Sequence, residues 1–340
     1  MVQTNKKILL SHGSGGTQSR RLVRDLFFRV FDNDILNTET DSALLGISSE
    51  NLAFTTDSFV VDPLFFPGAD IGKLAVCGTV NDLAVSGAIP RYMSAAFIIE
   101  EGLEFETLER VVFSMAEAAK LANIQIVTGD TKVVTRGKCD KLFITTTGIG
   151  ELRTEHRPIS TGTAIDTGDK ILVNGFIADH GCAVMSARNE LKVRADINSD
   201  CAPLNTLIRE VLDAGIRVKF MRDATRGGLA TVLAEIVQEK TFGLEIEEDK
   251  ILLRESVRGM CEFFGFDPLY VANEGKVMFI VHRDDAGKAL ALMRKNELGE
   301  NAGIIGKVVN DHMGKVVMRT QIGGKRIIEM MAGDQLPRIC

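Results

Sequence analysis

A turn-rich segment near the middle of the sequence sets the strongest limit on the fold. Residues 157–168 read RPISTGTAIDTG, in which turn-forming residues crowd together without sustained apolar periodicity. On each side, short β-branched runs alternate with longer runs of helical spacing. A chain of 340 residues is also long for one hydrophobic core. We therefore expect two α+β domains, each with its own core, joined at this segment.

Apolar periodicity predicts how the chain is organised on both sides of that segment. Four parts follow: an N-terminal Gly-rich loop and helix over residues 1–40, a first α+β domain over 41–156, a second over 157–309 and a C-terminal segment over 310–340. In the first domain we predict helices at 71–86 and 105–121 and strands at 43–48, 52–56, 92–100, 124–127 and 141–150. In the second domain we predict helices at 203–214, 227–239, 254–264 and 284–295 and strands at 170–174, 216–221, 244–247, 277–281 and 303–308.

Charge and hydropathy argue against several classes of partner. The net charge of −6 and the sequence pI of about 5.6 give no broad basic field for nucleic acid or for an anionic membrane. Apolar runs stop well short of the ~18 residues that a bilayer span needs, and no signal-peptide core follows the first residues. We therefore predict a cytoplasmic protein with no nucleic-acid and no membrane partner, which holds any bound phosphate locally.

The six cysteines are scattered without a CxxC pair, and the five histidines are equally dispersed. This spacing argues against a zinc or iron–sulfur site and against a disulfide framework. Five of the cysteines are most simply buried or incidental thiols, since cysteine is among the most buried residue types.

Cys340 differs from the other cysteines because it is the last residue of the sequence. Prenylation needs three residues after the cysteine, so the thiol is not a lipid site. The stretch 333–340 reaches about 25 Å when extended at ~3.5 Å per residue, enough to carry a thiol from the surface into a pocket. Spacing alone leaves an accidental terminal cysteine and a mobile arm as equal alternatives.

The sequence HGSGG at residues 12–16 is a candidate phosphate loop or lid. His12 is followed by Gly13, Gly15 and Gly16, whose backbone is free to wrap a phosphate. The loop lacks the Lys and Ser/Thr of a P-loop and follows no predicted strand, so a plain flexible loop is an equal alternative.

Aspartates recur where predicted elements end or are interrupted. Asp57 ends a predicted strand in FTTDSFVVDP, and Asp130 follows a short apolar strand in IVTGDTKVV, two residues before Lys132. Asp82, next to Asn81, interrupts an otherwise apolar helix. A buried, uncompensated charge there would cost several kcal/mol, so Asp82 needs a cation, hydrogen-bond donors or an exposed helix face.

A further aspartate, Asp223 in RDATRGG, follows a predicted strand and precedes a predicted helix, where Thr225 is placed to cap. The N–H groups of a helix N-terminus suit a phosphate, although each of these residues has simple capping as an alternative. Taken together, carboxylates at the loop-side ends of elements predict a hard-cation site of the kind that nucleotide-bound Mg²⁺ occupies. The predicted ligands are Asp57, Asp82, Asp130 and Asp223.

Glu274 lies in a polar NEGK turn that feeds a buried strand. A Glu in such a turn is most often solvated, and Lys276 either pairs with it or simply flanks the strand. The residue alone therefore predicts no chemistry.

Seven motifs, in order and nearly end to end, resemble those of the HypE family of hydrogenase maturation proteins: HGSGG, TTDSFVVDPLFFPG, CGTVNDLAVSGAIP, TGDTKVV, RDATRGG, NEGK and the terminal PRIC. They are individually ordinary but jointly very specific. The wider superfamily is similar to aminoimidazole ribonucleotide synthetase. The resemblance implies a two-domain PurM-like α+β fold with a mobile C-terminal tail, a homodimer formed through the first domain, and ATP bound at the dimer cleft.

The resemblance further implies an ATP-dependent carbamoyl dehydratase that works on itself. The carbamoyltransferase HypF would load a carbamoyl group on the sulfur of Cys340, ATP would phosphorylate the carbamoyl oxygen, and loss of phosphate would leave a thiocyanate. Cyanide would then pass to iron on a HypC–HypD complex, for the active centre of [NiFe]-hydrogenase.

Residue by residue, the resemblance assigns Glu274 as the base that takes the nitrogen proton, with Lys132 as its partner. The residues 12–16 resemble the family's mobile phosphate cover. Asp57, Asp82, Asp130 and Asp223 resemble its Mg²⁺–ATP ligands. Two alternatives stay open: another ATP-dependent synthetase of the superfamily, and an ATP-binding scaffold without dehydratase activity. Selenophosphate synthesis is disfavoured because that relative uses a Cys or selenocysteine in its N-terminal loop, whereas the first cysteine here is Cys77.

Overall fold

The computed structural model describes residues 7–14, 16–40, 42–188, 196–331 and 339. In the first half, the helices are α1 Thr17–Leu22, α2 Arg29–Phe31, α3 Ile71–Val85 and α4 Phe105–Ala122. The strands of that half are β1 Leu52–Phe59, β2 Phe65–Phe66, β3 Ala69–Asp70, β4 Ala88–Glu100, β5 Gln125–Val134 and β6 Leu142–Leu152. A π-helical stretch, Val23–Phe28, joins α1 to α2, so the predicted N-terminal helix is confirmed.

In the second half, helices and strands again alternate. The helices are α5 Asp179–Ala187, α6 Asn205–Asp213, α7 Gly228–Val237, α8 Glu255–Phe264 and α9 Ala286–Met293. The strands are β7 Lys170–Val173, β8 Val218–Asp223, β9 Gly243–Glu247, β10 Val277–Val281, β11 Gly303–Val309, β12 Val316–Arg319 and β13 Lys325–Ile328. The mixed α+β content predicted for both halves is confirmed.

The first half is built on a four-stranded sheet in the order β1-β6-β4-β5, so that β1 and β5 form its two edges. Only β4 and β5 run parallel among these pairs. The strands alternate between the two faces, and α3 packs on the face that contains Asp57 and Thr146. The other face, called here the open face, contains the exposed Phe54 and Ile98.

The second half is built on a seven-stranded sheet in the order β13-β12-β9-β11-β7-β10-β8. All its pairs are antiparallel except β12 with β9. Strand β10 is buried along its whole length, as its continuous apolar sequence VMFIV predicts. Glu274 lies in the segment that leads into β10, and it is therefore buried as well.

Two predicted strands differ from the structure, and one helix was not predicted. Residues 43–48 form no strand. The predicted strand 124–127 continues to Val134, because β5 pairs with β4 from Gln125 to Val134. Asp130 therefore lies within a strand and not after one. Helix α5 was missed because most of it is buried and it has no amphipathic stripe.

The described apolar residues form two buried clusters, but not one for each half as we expected. The larger cluster runs from Ile8 to Ile339 and includes α3, α4, α5 and α7. The smaller cluster is mainly from the second half but also contains Ala84 and Val85 of α3. Helix α3 therefore packs into both, and its polar residues lie at the junction of the halves. None of the described helices is long and apolar enough to cross a membrane.

Candidate functional site

Helix α3 brings two polar side chains to the junction of the two halves. Asn81 is buried, and its Nδ2 donates to the carbonyl oxygens of Ala202 at 3.1 Å and Glu274 at 3.2 Å. Its Oδ1 accepts the N–H of Leu204 at 2.7 Å. The next residue, Asp82, is half-buried, and its Oδ2 accepts the hydroxyl of Thr55 at 2.9 Å. The break in the apolar pattern thus marks the place where α3 meets the second half.

Three of the predicted aspartates interact electrostatically at this junction. Burial raises the pKa of Asp82 to about 7, with further rises from the charges of Asp223 and Asp57. Burial also raises the pKa of Asp223 to about 6; the charge of Asp57 adds to this, while Arg222 and Arg226 oppose it. Asp57 lies inside β1, two residues before its end, and accepts the hydroxyl of Thr79 at 3.5 Å. Each raised pKa thus reflects the cost of ionising a buried carboxyl, increased by the charge of its acidic neighbours.

Two of these aspartates, Asp82 and Asp223, border a cleft of about 670 Å³ between the halves. Its lining combines acidic, basic and hydroxyl groups, namely Thr55, Asp82, Arg222, Asp223, Thr225 and Arg226. Helix α7 begins beside it, with Gly227 and Gly228 both at positive φ. Thr225 does not cap α7 as predicted, because Gly227 occupies the N-cap and no side chain caps the helix. The mixture of N–H donors, cations and carboxylates suits a phosphate together with a cation.

Glu274 is 3% exposed, so its interpretation as a solvated turn residue is wrong. Burial raises the pKa of Glu274 well above its usual range, and the charges of Asp223 and Asp200 add to the rise. Its backbone N–H donates to Asp200 Oδ1 at 3.0 Å. Gly275 permits this close approach, because a Cβ there would overlap the Asp200 carbonyl oxygen.

Asp200 behaves oppositely to its neighbour Glu274. Burial favours the neutral form of Asp200, but the nearby charge of Lys276 and the Glu274 N–H outweigh it and lower the pKa of Asp200. Lys276 Nζ lies 3.1 Å from Asp200 Oδ2. Two adjacent buried carboxyls whose pKa values are pushed apart are a common arrangement in acid–base sites.

Two of the cysteines that we interpreted as buried or incidental thiols lie beside Glu274. Cys77 of α3 and Cys201 are both buried. A hydrogen bond with Cys77 raises the pKa of the Cys201 thiol, as do burial and the charge of Glu274. The Cys201 thiol is therefore kept neutral.

Asp130 and Lys132 lie elsewhere in the chain, on β5. Their side chains are 61% and 64% exposed and form an ion pair, with Lys132 Nζ 3.1 Å from Asp130 Oδ2. In the register of the sheet they share the open face with Phe54, whereas Asp57 is on the helix face of the opposite edge strand. Three strand spacings of ~4.8 Å separate β1 from β5, or about 14 Å.

Two predictions therefore fail within one chain. Asp130 does not join the other three aspartates, and Lys132 does not lie beside Glu274. In the part of the chain that the structure describes, no group of three or more His, Cys, Asp or Glu side chains is placed to hold a metal ion. The four predicted ligands, Asp57, Asp82, Asp130 and Asp223, thus do not form a complete cation site in a single copy.

The Gly-rich loop lies next to the Asp130 and Lys132 pair. Residues Leu10–Gly13 form a short 3₁₀ helix, and a Cβ on Gly13 would overlap the backbone nitrogen of Val133 on β5. His12 accepts the N–H of Leu9 through Nδ1 at 2.9 Å, and Gly16 is the N-cap of α1. The predicted residues Gly15 and Cys340 lie outside the described residues.

One residue next to Cys340 is described. Ile339 is 6% exposed, and its carbonyl oxygen lies 2.7 Å from Nε2 of the buried His180. The His180 ring also feels the charge of Asp200, the residue that accepts the Glu274 N–H. The end of the chain is thus connected to the buried acidic group through two residues that sequence reasoning missed. His180 and Asp200 stand in short irregular contexts without periodicity or a motif, so no sequence signal pointed to them.

Two family profiles match this chain. The N-terminal domain of AIR synthase related proteins matches residues 39–152, and the C-terminal domain of AIR synthase related proteins matches residues 166–319. The protein is therefore a two-domain member of the AIR synthase related class, and the predicted PurM-like fold is confirmed.

Full-length relatives narrow the class to one family. The chain is 47% identical over 342 residues to a carbamoyl dehydratase HypE of Rhodobacter capsulatus, with 100% of both chains covered. A HypE chain solved in complex with ATP is 49% identical, with a TM-score of 0.93 over 98% of this chain and 99% of that chain. A chain from a solved HypE–HypF complex is 49% identical, with a TM-score of 0.78 over 91% of this chain and 99% of that one. This chain belongs to the HypE family of hydrogenase maturation proteins, as its motifs predicted.

Proposed function

We propose that this chain uses ATP to dehydrate a carbamoyl group carried on the sulfur of its own Cys340. The thiocarboxamide loses one oxygen and two hydrogens and becomes a thiocyanate, while ATP becomes ADP and phosphate. The single observation that carries this proposal is the burial of Ile339, the residue before Cys340, whose carbonyl oxygen contacts His180. The charge of Asp200, which accepts the Glu274 N–H, acts on that histidine and so supports a position of the chain end near Glu274. The thiocyanate would supply the cyanide ligands of the iron in [NiFe]-hydrogenase.

The cleft beside Asp82 and Asp223 is the proposed site of the ATP phosphates. Burial raises the pKa values of these carboxyls and the charge of Asp57 adds to the rise, so a divalent cation would stabilise their ionised forms. Asp82 and Asp223 would hold a Mg²⁺ ion, which would supply charge neutralisation for phosphoryl transfer. Arg222 and Arg226 on the rim are placed to pair with phosphate oxygens. A relative of the same family, solved in complex with ATP, supports this assignment.

Glu274 is proposed as the base that takes protons from the carbamoyl nitrogen. Phosphorylation turns the carbamoyl oxygen into a good leaving group, but the nitrile forms only when nitrogen also loses its protons. Burial raises the pKa of Glu274, which makes its carboxylate a stronger base than a solvated one. The burial of Glu274 would also help to keep water from the phosphorylated intermediate, whose hydrolysis would waste ATP.

A homodimer is proposed because the ATP-site residues are split between the two edges of one sheet. Asp57 is on edge strand β1, whereas the Gly-rich loop, Asp130 and Lys132 are at edge strand β5. A twofold pair that laid β5 of one copy beside β1 of the other would complete two equivalent sites. The open face supplies an apolar surface for this contact, since Phe54 is 71% and Ile98 40% exposed. Lys132 would then serve Glu274 of the second copy.

HypF is proposed as the carbamoyl donor, and a HypC–HypD complex as the cyanide acceptor. A relative of the same family has been solved as a HypE–HypF complex. Since Ile339 is buried in the structure described here, it would have to leave that position for the end of the chain to reach either partner. The protein would thus be an enzyme and a carrier of its own product.

Replacing Cys340 by Ala tests the proposal. Without the sulfur no carbamoyl group is loaded, so carbamoyl-dependent ATP hydrolysis and nitrile formation should fall to background. ATP binding, measured by isothermal titration, should match that of the unchanged chain, because none of the described residues of the C-terminal segment lines the proposed phosphate cleft. Loss of ATP binding would contradict a separate arm, and carbamoyl-independent hydrolysis at the normal rate would favour another synthetase of the superfamily.

A further inference from the structure

His180 is fully buried at the second position of α5, and both of its ring nitrogens have partners. Nε2 lies 2.7 Å from the carbonyl oxygen of Ile339, and Nδ1 lies 2.9 Å from the hydroxyl of Ser199. A carbonyl oxygen only accepts, so Nε2 must carry the proton. Burial lowers the pKa of His180, although the charge of Asp200 and the Ile339 carbonyl oppose that effect. The ring is therefore neutral, and Nδ1 accepts the Ser199 proton.

The surroundings of His180 fix the direction of its Nε2–H. Ser199 Oγ also accepts the N–H of Cys201 at 3.1 Å, so its hydroxyl proton is committed to His180. The ring of Phe66 meets the imidazole edge-on, with the ring centroids 5.4 Å apart. Since Phe66 comes from the first half and Ser199 from the second, the imidazole is held at the junction between them.

The backbone before His180 is strained in a way that favours a functional role. Ala178 is at φ 71, a region that residues with a Cβ adopt at a cost of about 1 kcal/mol or more. Its N–H donates to Asn273 Oδ1 at 2.7 Å, and Asn273 in turn donates to the Ala224 carbonyl. Asn273 directly precedes Glu274. The residue that maintains the strain at the start of α5 is thus the neighbour of the proposed base.

We propose that His180 is the positioning residue for the end of the chain: its Nε2–H holds the backbone carbonyl of Ile339 and so fixes the point from which Cys340 extends. The carbonyl is a backbone group, so it is the same whether the terminal sulfur is free, carbamoylated or cyanated. The buried Ile339 side chain would also prevent the end of the chain from sliding along its binding position. His180 would therefore hold the end of the chain in the same position whether the sulfur of Cys340 is free, carbamoylated or cyanated.

This inference rests on the proposed function only for its effect on dehydration, because the docking of the terminus stands by itself. Alkylation of Cys340 by iodoacetamide, followed by mass spectrometry of the C-terminal peptide of the full-length protein, measures that docking. His180→Leu should raise the alkylation rate about three- to tenfold, the change expected for losing one hydrogen bond of ordinary net strength. An unchanged rate would overturn the proposal.

His156→Leu is the matched control, because His156 also bonds a backbone carbonyl, that of Gly87 at 3.1 Å, away from the tail. Its alkylation rate should equal that of the unchanged chain. A pair of amide variants sharpens the result: the Gln amide nitrogen reaches roughly as far as Nε2, and the Asn amide only as far as Nδ1. His180→Gln should therefore restore slow alkylation more fully than His180→Asn, and equal rates would contradict a role for the Nε2–H bond.

A measurement without any histidine substitution guards against misfolded variants. In the chain with ¹⁵N-labelled histidine, the His180 Nε2–H should exchange slowly with solvent. Deleting residues 339–340 should make that exchange at least about tenfold faster and shift the Nε2 resonance. An unaltered signal would overturn the proposed contact.

A single-turnover assay links docking to chemistry. In carbamoylated His180→Leu the dehydration rate should fall about three- to tenfold, while the affinity for ATP stays unchanged. If the unchanged chain performs no dehydration, the proposed function fails, yet the alkylation and exchange experiments still decide whether His180 holds the terminus.

Discussion

Asp82 and Asp130 belong to the same half of the molecule, yet their surroundings make them different acids. Asp82 lies at the junction of the halves beside Asp57 and Asp223, and burial raises its pKa to about 7. Asp130 lies on the open face of β5, is 61% exposed and pairs with Lys132. Ionising the buried Asp82 carboxyl costs free energy, which a bound cation would offset, whereas the Asp130 carboxylate is solvated. The difference teaches that predicted ligands of one site can lie in two separate places of one copy. In the proposed homodimer they would be two half-sites, one at the junction of the halves and one on β5, completed between copies.

The largest expected effect comes from replacing Glu274, the proposed base near the junction of the two halves. Glu274→Gln removes a carboxylate base while preserving its shape, so the single-turnover rate of dehydration should fall by about 10²- to 10⁴-fold. Loading of the carbamoyl group by HypF should be unchanged. Glu262→Gln, on the exposed side of α8, is the control and should retain the normal rate. A Glu274→Gln enzyme that dehydrates at the normal rate would remove Glu274 from the mechanism.

The second effect tests whether the two half-sites come together between copies. Asp82→Asn and Asp130→Asn should each lower ATP turnover at least about tenfold. Mixing the two variants after separate purification and subunit exchange should restore about a quarter of the sites, because half of the dimers carry both mutations in one site and none in the other. If both residues served a site within one chain, mixing would restore nothing.

The surroundings of Asp82 could be predicted from the sequence better than those of Asp130. Asp82 could be predicted because a charged residue inside an apolar helix demands a partner, whereas the segregation of Asp130 depends on the strand order β1-β6-β4-β5, which a local pattern does not contain. The burial of Glu274 was missed since NEGK has the composition of a turn; only the close approach of Gly275 to Asp200 encloses it. His180 could not be found from the sequence, because its partner Ile339 is 159 residues away.

The smallest expected effect is on the stability of the folded protein. It measures the free energy that burying the Asp82 carboxylate costs. Because the folded-state pKa of Asp82 is raised from 3.8 to about 7, the folded chain binds more protons than the unfolded chain between those values, and stability falls as pH rises through them. Without Mg²⁺, Asp82→Asn should therefore raise Tm by roughly 2–4 °C at pH 8, equivalent to ~1 kcal/mol. At a pH below 3.8 the gain should vanish.

Differential scanning calorimetry with Asp130→Asn as the matched variant checks this expectation. Asp130 is exposed, so its substitution should leave Tm within about 1 °C at either pH. A destabilised Asp82→Asn at pH 8 would show that the carboxyl is satisfied in the apo protein and has no need of a cation.

The central claim is that the residue acted on is the chain's own Cys340, and mass spectrometry of its C-terminal peptide tests that most directly. After incubation with HypF, carbamoyl phosphate, ATP and Mg²⁺, the peptide should first gain the mass of one carbamoyl group and then lose the mass of one water. In Glu274→Gln the same peptide should stop at the carbamoyl adduct. An adduct that never loses water in the presence of ATP, or that loses it equally well without ATP, would contradict the account.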